Sequence, residues 1–311
     1  MAWIVFLAPD DLGEAVLASG AVAHALRDPA DMLTIVGSQD VAELFRGAPA
    51  QRISLPEEGP LQFAVGVRFQ PERCDVLIDA QRAIAGRIIP AALRIKLTDA
   101  SVLRHRAEAW AEAAGAERPL APKLWLDAAA REAAAAVAQG AGPLLALAPG
   151  GIDADKRWPV ERFAAVARRL SDGPLAGAQV VVLGAAPRDA HTTRAIVSSL
   201  DADGVAARDL GTGMDLLAAG ALLERATLCI GNDNALAHIA AAMGAPTLTL
   251  FGPTDERVRA PYGPRVRTLR GRSLEEVAAS AALDGAGAMS EISIDAVEAA
   301  ARDLLHAGGL R

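Results

Sequence analysis

Residues 230–238 place two amides, a carboxylate and an imidazole around the start of one predicted helix. An apolar run ends in Asn232, Asp233 and Asn234, and the helical pattern that follows includes His238. The free N–H groups at a helix start bind anions, and a carboxylate beside them can hold sugar hydroxyls. Other interpretations stay open for two of these residues. Asp233 could instead cap the helix, and His238 could either pack in the core or contact a ligand.

A second polar segment follows another apolar run. Pro149, Gly150 and Gly151 come first, and the backbone of such a turn can approach an anion closely. Lys156 then precedes Pro159, which suits the first turn of a helix. Only three of the 31 Lys and Arg residues are lysine, so a lysine here is a specific choice. We expect Lys156 to neutralise an anion; the alternative is a solvated basic pair at a helix entrance.

The third segment is the turn after the first apolar run, where Asp10, Asp11 and Glu14 surround Gly13. These carboxylates lie at the end of a predicted strand and at the start of a predicted helix. Acidic groups in that place commonly cap the helix and complement its dipole. Capping is the first interpretation of Asp10 and Asp11, while the role of Glu14 is open at this point.

Motifs and charge exclude several classes of protein. The sequence has no G-x-G-x-x-G turn, Walker A sequence, H-E-x-x-H or G-x-S-x-G, which disfavours a classical dehydrogenase, P-loop NTPase, zincin or α/β-hydrolase. The formal net charge of −7 disfavours a nucleic-acid partner. Cys74 and Cys229 stand far apart in apolar runs, which is typical of a reducing compartment and not of a metal site.

The elements that must position these segments alternate along the chain. Strands that are apolar throughout are buried on both faces, so the pattern predicts parallel sheets covered by helices. The fold class is therefore α/β with right-handed crossovers. The predicted strands are 3–8, 32–37, 75–80, 93–97, 144–148, 179–183, 227–230 and 247–251, and the main predicted helices are 14–26, 102–114, 160–170, 188–200, 215–224 and 234–243.

A length of 311 residues fits two domains of ordinary size. The small-residue stretch 139–143 predicts a boundary between residues 1–140 and 141–311, and the last helix, 293–306, could pack on either domain. Ligands of doubly wound sheets bind at the carboxyl ends of the strands, so we expect the site in the cleft between the domains.

Two apolar stretches need a separate interpretation. The first twelve residues lack a basic region before their apolar run, so we expect no export signal. The nearly uncharged run 235–253 is interrupted by Gly244 and Pro246, and it predicts a helix followed by a buried strand, not a membrane span.

Together the three segments resemble glycosyltransferase family 9, the bacterial ADP-heptose:lipopolysaccharide heptosyltransferases. That family shows an early G-D-x-x-x-x-x-P-A turn, a P-G-x...K-R-W-P segment and an N-D-S-G-x-x-H...G-x-P...F-G-P-T segment. The order and spacing match over nearly the whole chain, and the last two segments are the specific ones. The equivalents are Gly13-Glu14, then Pro149-Gly150 with residues 156–159, then Asn232-Asp233 with His238, Gly244, Pro246 and residues 251–254.

Three positions depart from the family pattern. Glu14 stands where the family has its catalytic Asp, and it reaches one methylene further. Ala235 stands where the family has Gly, and its side chain crowds a phosphate while its N–H stays available. The family's ribose-binding acidic residue is matched either by Asp189 or by nothing, since Arg188 aligns about as well.

The resemblance implies a GT-B fold, with two Rossmann-like doubly wound domains whose parallel sheets face each other across a cleft. It implies an inverting transfer that needs no metal and no cofactor, with the nucleotide sugar, such as ADP-heptose, on the C-terminal domain. Glu14 would be the general base, and Lys156 with the helix start near Asn234 would stabilise the departing diphosphate. The expected donor-binding residues are Gly150, Gly151, Asp189, Asp233, Asn234, Ala235 and His238.

Two stretches carry local positive charge. Residues 82–106 hold six basic residues against Asp99 alone, and residues 257–272 hold six Arg and no acidic residue. One interpretation is that both are solvated faces. The other places the first stretch beside an anionic, lipid-linked acceptor such as a lipopolysaccharide core, or at the inner-leaflet surface. Asp10, Arg82 and Arg87 then lie on the acceptor side of a cytoplasmic enzyme that contacts the inner membrane peripherally.

Two other functions stay open. A nucleotide-sugar epimerase of the GT-B class would release a free sugar and transfer nothing. A non-catalytic member would bind the nucleotide sugar only, as the changes at Glu14 and Ala235 permit.

Overall fold

Two parallel sheets organise the chain in the computed structural model. Two units form, Met1–Asp127 and Ala128–Arg311. This division precedes the Ala-rich helix Ala128–Val137, and the sequence-based boundary at residues 140 and 141 follows it. The described residues are 1–50, 52–54, 59–98, 104–138, 140, 142–211, 213–280 and 287–307, so Gln139, Ala141 and Asp99 lie outside them.

In the described part of the first unit, the strands are parallel and lie in the order β3-β2-β1-β4-β5. The strands are β1 (Trp3–Leu7), β2 (Met32–Val36), β3 (Arg52–Ser54), β4 (Cys74–Asp79) and β5 (Ala91–Lys96). The helices are α1 (Leu12–Ala25), α2 (Gln39–Glu43), α3 (Pro60–Arg68), α4 (Ile84–Ile88) and α5 (Arg106–Ala114).

The second unit has a six-stranded parallel sheet in the order β11-β10-β9-β6-β7-β8 among its described residues. Its strands are β6 (Leu144–Ala148), β7 (Gln179–Leu183), β8 (Ala207–Gly211), β9 (Leu228–Asn232), β10 (Thr247–Phe251) and β11 (Val266–Arg270). Its helices are α6 (Ala128–Val137), α7 (Val160–Ser171), α8 (Ala190–Ala202), α9 (Leu216–Glu224), α10 (Ala235–Ala242), α11 (Glu256–Arg259), α12 (Leu274–Ser280), α13 (Gly287–Ser290) and α14 (Ile294–Ala307).

Each unit has its own core, because its central strands are covered on both faces. Every residue of β6, β9 and β10 is buried. Helix α14 packs against α7 and against β9, β10 and β11 of the second unit. In the first unit, Phe6 of β1 meets Phe45 edge to face at 5.4 Å. Removing these side chains from water is the main favourable contribution to folding.

The apolar runs predicted the central strands, and the structure confirms the α/β class. The edge strands β3, β8 and β11 were missed, because edge strands mix charged and polar with apolar residues. The run 235–253 forms α10 and then β10, joined through Gly244 at a φ of +81°, which favours glycine. The predicted helix 102–114 begins at Arg106, and residues 102 and 103 lie outside the described part. Within the described residues, no helix is long and apolar enough to cross a membrane.

The strand orders create one switch point in each unit. The chain proceeds outward in one direction from β1 and in the other from β4, and it does the same from β6 and β9. Loops that leave neighbouring parallel strands in opposite directions open a crevice at the carboxyl ends of those strands, where ligands of such sheets bind.

Candidate active site

The loops after β6 and β9 lie side by side at the switch point of the second unit, because these strands pair with Ala148 opposite Gly231. The side chains of Asn232 and Asn234 link the two loops. The Asn232 amide donates to Pro149 O at 2.6 Å, and the Asn234 amide donates to Ala148 O at 2.8 Å. The Pro-Gly-Gly turn is thus held in place by the segment that carries Asp233.

Asn234, not Asp233, caps helix α10. Its side-chain oxygen accepts the N–H of Ala237 at 3.2 Å. An α-helix leaves its first N–H groups without intrahelical partners, and Asn234 satisfies one of them. Asp233 is therefore free of the capping role that the sequence left open for it. Ala235 is the first residue of the helix, at the place where an anion would meet the helix N-terminus.

Asp233 is surrounded by polar groups of three elements. Its Oδ1 lies 3.8 Å from His238 Nε2, and its Oδ2 lies 3.9 Å from Lys156 Nζ. Burial alone would raise the pKa of Asp233, but the interaction with His238, the Thr254 hydroxyl and the charge of Lys156 together hold this pKa below its ordinary value. Asp233 is thus a mostly buried carboxylate that stays ionised at neutral pH.

Lys156 ends a short 3₁₀ turn, Ala154–Lys156, on the way to α7. Its ammonium lies 3.6 Å from Asp153 Oδ2 in addition to the contact with Asp233. Lys156 and Asp233, from two separate segments of the sequence, thus lie together, while the catalytic role of Lys156 stays a prediction. Arg157 is not a solvated partner, because its guanidinium donates to Gly151 O at 2.8 and 3.0 Å.

The indole of Trp158 and the imidazole of His238 both lie inside the fold. Trp158 is buried, and its Nε1 donates to Ile292 O at 2.9 Å, so it packs at the entrance of α7. His238 is buried as well, and its Nδ1 has no hydrogen-bond partner among the described residues. The structure shows that His238 packs in the interior beside Asp233, and its contact with a ligand stays a prediction.

Asp189 lies against the Pro-Gly-Gly turn. A Cβ on Gly150 would come within 2.5 Å of Asp189 Oδ2, so only glycine fits there beside the carboxylate. The same oxygen accepts the backbone N–H groups of Ala185 and Ala186 at 3.0 and 3.2 Å. The structure thus brings Asp189 to the site, where one of its carboxylate oxygens accepts hydrogen bonds from its own loop. Its donor-binding role stays a prediction.

Glu14 pairs with a residue that the sequence did not connect to it. Arg106, the first residue of α5, donates through Nε to both carboxylate oxygens of Glu14, at 3.0 and 3.2 Å. Asp11 is the N-cap of α1, and its side chain accepts the N–H of Glu14 at 2.8 Å. Capping therefore explains Asp11, while the Glu14 carboxylate faces another element and not its own helix. Asp10 is exposed in the same turn.

A basic cavity of about 560 Å³ lies after β4 and β5 in the first unit. Its cationic side chains are those of Arg82, Arg87, Arg94 and Lys96. Arg94 donates to the backbone carbonyls of Gly86 and Ile89, which joins β5 to the end of α4. The structure therefore brings the two residues predicted on the acceptor side, Arg82 and Arg87, into one cavity.

Asp79, the last residue of β4, lines the same cavity and was missed in the sequence. Its Oδ1 accepts the N–H of Arg82 at 2.9 Å, and a Cβ on Gly86 would come within 2.0 Å of its Oδ2. Burial raises the pKa of Asp79, although the Arg82 N–H and the charges of Lys96 and Arg94 act in the opposite direction. The sequence signal that could have identified Asp79 is a carboxylate at the end of an otherwise apolar strand.

The second basic stretch is engaged in local contacts. Arg267 pairs with Asp303 at 2.7 Å, and Arg270 pairs with Glu256 at 2.5 Å. Arg257 pairs with Asp255 at 2.8 Å, and Arg272 pairs with Glu291. These ion pairs support the interpretation of residues 257–272 as an ordinary solvated face. In the part of the chain that the structure describes, no group of three or more His, Cys, Asp or Glu side chains could hold a metal ion.

Sequence comparison places these residues among known relatives. A family model described as glycosyltransferase family 9 (heptosyltransferase) matches residues 74–284. Lipopolysaccharide heptosyltransferase 2 of Escherichia coli K12 is 31% identical over 130 residues. Lipopolysaccharide heptosyltransferase 1 of the same strain is 28% identical over 109 residues. The first alignment covers 41% of this chain and 36% of the relative, so it spans about a third of the relative's length.

Solved structures match over nearly the entire chain. The E. coli ADP-heptose lipopolysaccharide heptosyltransferase II aligns with a TM-score of 0.77 at 18% identity, over 99% of this chain and 100% of its own. A family 9 glycosyltransferase from Veillonella parvula aligns with a TM-score of 0.76 at 18% identity, over 98% and 97%. E. coli WaaC, solved with ADP-2-deoxy-2-fluoro heptose, aligns with a TM-score of 0.68 at 17% identity, over 97% of this chain and 99% of its own. These similarities show the GT-B fold.

Proposed function

The chain belongs to glycosyltransferase family 9, and we propose that it transfers a heptose or a related sugar from a nucleotide sugar to a lipopolysaccharide core or another glycan. ADP-heptose is the proposed donor, and the transfer inverts the anomeric centre without a metal ion. The observation that carries this proposal is the constellation of Asp233, Lys156 and His238 at the switch point of the second sheet.

The donor would bind across the loops after β6 and β9. The diphosphate would lie between the Gly150-Gly151 backbone, the Lys156 ammonium and the start of α10, because these groups offer N–H donors and positive charge. Asp233, held ionised by its neighbours, would accept hydrogen bonds from sugar hydroxyls. The base of the nucleotide would lie near the turns at Gly184 and Gly211, whose backbones are joined by a 2.8 Å hydrogen bond.

The chemical step would be a single displacement. An acceptor hydroxyl attacks the anomeric carbon from the face opposite the diphosphate, and the bond from that carbon to the phosphate oxygen breaks. The electron pair leaves with the diphosphate, whose charge Lys156 stabilises. The hydroxyl proton passes to Glu14. Arg106 would fix the direction of the Glu14 carboxylate, because it contacts both oxygens.

The acceptor would bring its anionic groups to the basic cavity of the first unit. Arg82 and Arg87 are exposed there, and guanidinium groups match carboxylate and phosphate oxygens in geometry and charge. The enzyme would act on the cytoplasmic side of the inner membrane and contact that membrane peripherally.

Thermal unfolding with a panel of ligands tests the proposal directly. A ligand that binds only the folded chain raises its stability by mass action. We expect ADP and ADP-heptose to raise the unfolding temperature more than UDP- or GDP-sugars do. With a deacylated lipopolysaccharide core added, we expect a heptosylated product by mass spectrometry.

The same preparation separates the two alternative functions. Without an acceptor, an epimerase would convert the nucleotide sugar or release a free sugar at a high rate. A non-catalytic member would show the rise in unfolding temperature and no product under either condition. Either result would contradict the proposed transfer.

A further inference from the structure

Helix α3 exposes a row of apolar side chains. Leu61 and Val65 of α3 and Phe69, the residue at its C-cap, are spaced four residues apart, so they lie on one side of the helix. Leu61 is 55% exposed and Phe69 is 84% exposed. Ile84, at the start of α4, is also an exposed large apolar side chain. We call these four residues the α3–α4 face.

The four residues point away from the first sheet. Ala64 and Val67 of α3, and Ala85 of α4, pack in the same core cluster as Leu7 and Leu77 of the sheet. Helix α3 also packs against α4. Because the buried sides of both helices rest on one face of the sheet, their exposed sides form a common outer surface. Exposed apolar side chains grouped on one side of a molecule are typical of interaction sites.

The charged residues within the two helices are all positive. Neither α3 nor α4 contains an acidic residue, and each contains one arginine, Arg68 and Arg87. Arg87 also lines the basic cavity, together with Arg82 and Lys96. Glu72 follows Phe69 in the chain and is exposed, so the positive charge belongs to the two helices and to the cavity beside α4. Apolar side chains flanked by cations fit the interface of a membrane with anionic lipids.

We infer that the α3–α4 face docks on the surface of a membrane that contains anionic lipids. Phe69 and its neighbours enter the boundary between headgroups and acyl chains, while Arg68 and Arg87 contact the lipid phosphates. The inference rests on the proposed function, because a lipid-linked acceptor is presented at such a surface. Docking through α3 and α4 keeps the basic cavity, which α4 helps to form, next to the anionic headgroups.

Vesicle flotation tests this inference without any transfer reaction. We expect the full chain to bind vesicles of phosphatidylcholine mixed with phosphatidylglycerol and to bind pure phosphatidylcholine much less. Phe69→Ser removes the most exposed apolar group and should weaken binding about tenfold or more. Arg68→Gln should weaken it about fivefold, because one basic residue near an anionic surface contributes about that factor.

A matched pair of leucines separates docking from a general loss of apolar surface. Leu93 is 52% exposed in β5, close to the value for Leu61. It lies on the opposite sheet face from Arg94, whose side chain reaches α4. Leu61→Ser should weaken vesicle binding and Leu93→Ser should not. Equal effects of the two variants, or no binding of the unaltered chain to the anionic vesicles, would overturn the inference.

The remaining outcomes also decide the question. A chain that self-associates in sedimentation experiments, becomes monomeric as Phe69→Ser and never binds vesicles would use this face for a second copy, which overturns the inference.

The rise in unfolding temperature with ADP is measured on the same samples. If vesicle binding fails while this rise persists, the docking inference fails and the proposed function stands. If vesicle binding succeeds and the rise is absent, the proposed function fails instead.

Discussion

Asp79 and Asp233 occupy the same topological place in the two units, yet their environments shift the pKa values of their carboxyl groups in opposite directions. Asp79 ends β4 and Asp233 directly follows β9, and both of these strands adjoin the first strand of their sheet at the switch point. Both carboxyl groups are mostly buried. The pKa of Asp79 is raised, whereas that of Asp233 is lowered.

Partners, not burial, cause the difference. Asp233 has an imidazole at 3.8 Å and an ammonium at 3.9 Å from its oxygens. Asp79 receives the Arg82 N–H, and its carboxylate forms no ion pair within 4.0 Å in the described part of the chain, although Arg94 and Lys96 are close enough to act on it. The second unit therefore holds its carboxylate in the charged form, whereas in the first unit burial acts more strongly on Asp79 than the neighbouring positive charges do.

The largest expected effect tests the first unit. Glu14→Gln preserves size and most hydrogen bonding but removes the basic group, so it should lower the transfer rate by roughly 10²–10⁴-fold. The rise in unfolding temperature with ADP-heptose should stay unchanged. Transfer at the normal rate would show that the base lies elsewhere, and the exposed Asp10 would be the next residue to replace.

Lys156→Met tests the second unit. Loss of the charge that stabilises the departing diphosphate should lower the transfer rate on the order of 10²-fold, while the chain folds normally. Lys123→Met is the matched control, because Lys123 is exposed and belongs to neither site. Similar rates for the two variants in a mass-spectrometric transfer assay would contradict the role of Lys156.

Gly86→Ala tests how tightly Asp79 is enclosed. A Cβ at position 86 would come within 2.0 Å of Asp79 Oδ2, and such overpacking should lower the free energy of unfolding by about 1–3 kcal/mol. The control is Gly66→Ala in α3, where a Cβ would meet nothing within 4 Å. That change should raise the free energy of unfolding by about 0.5–1 kcal/mol. Urea denaturation measures both, and equal effects would contradict the enclosure.

The smallest expected effect is a difference between the two aspartates in how they make the stability of the chain depend on pH. Both have an ordinary pKa of 3.8. The raised pKa of Asp79 means that the folded chain binds its proton more tightly, so its charge lowers stability as pH rises from 3.8 through the folded pKa. Asp79→Asn should therefore stabilise the chain at neutral pH and not below 3.8.

Asp233 should show the reverse sign. Its lowered pKa contributes stability above 3.8 that is lost as pH falls through the folded pKa. Asp233→Asn should therefore destabilise the chain at neutral pH, and the difference should vanish in acid. Thermal unfolding across pH measures both variants. Stabilisation by both substitutions at neutral pH would show that burial outweighs the partners at both positions.

The sequence predicted what local patterns determine. Apolar runs located the central strands, and the polar residues after them located Lys156 and Asp233, because a strand buried on both faces leaves a recognisable composition. Edge strands carry mixed residues, and the five residues of β8 include both Arg208 and Asp209. Their place in the sheet depends on the neighbouring strand and not on their own pattern.

Long-range contacts were beyond the sequence. Arg106 and Glu14 are separated by 92 positions, and their meeting depends on the packing of α5 against α1. Asp79 is a different case, since it lies one residue before the end of the predicted strand 75–80, at a place where ligands commonly bind. The basic residues around it were noticed as a stretch of charge. What could not be read was their arrangement around one cavity.

The scarcity of lysine supplies the molecule with built-in chemical reporters. The chain has three lysines, and each belongs to a different environment: Lys96 lines the basic cavity, Lys156 lies beside Asp233, and Lys123 is exposed outside both. After treatment with an amine-reactive acylating reagent, peptide mapping therefore measures the acylation of each lysine separately, and each lysine reports on one environment. The nucleotide sugar and the glycan can each be assigned to a unit by which amine they shield, with Lys123 as the internal reference.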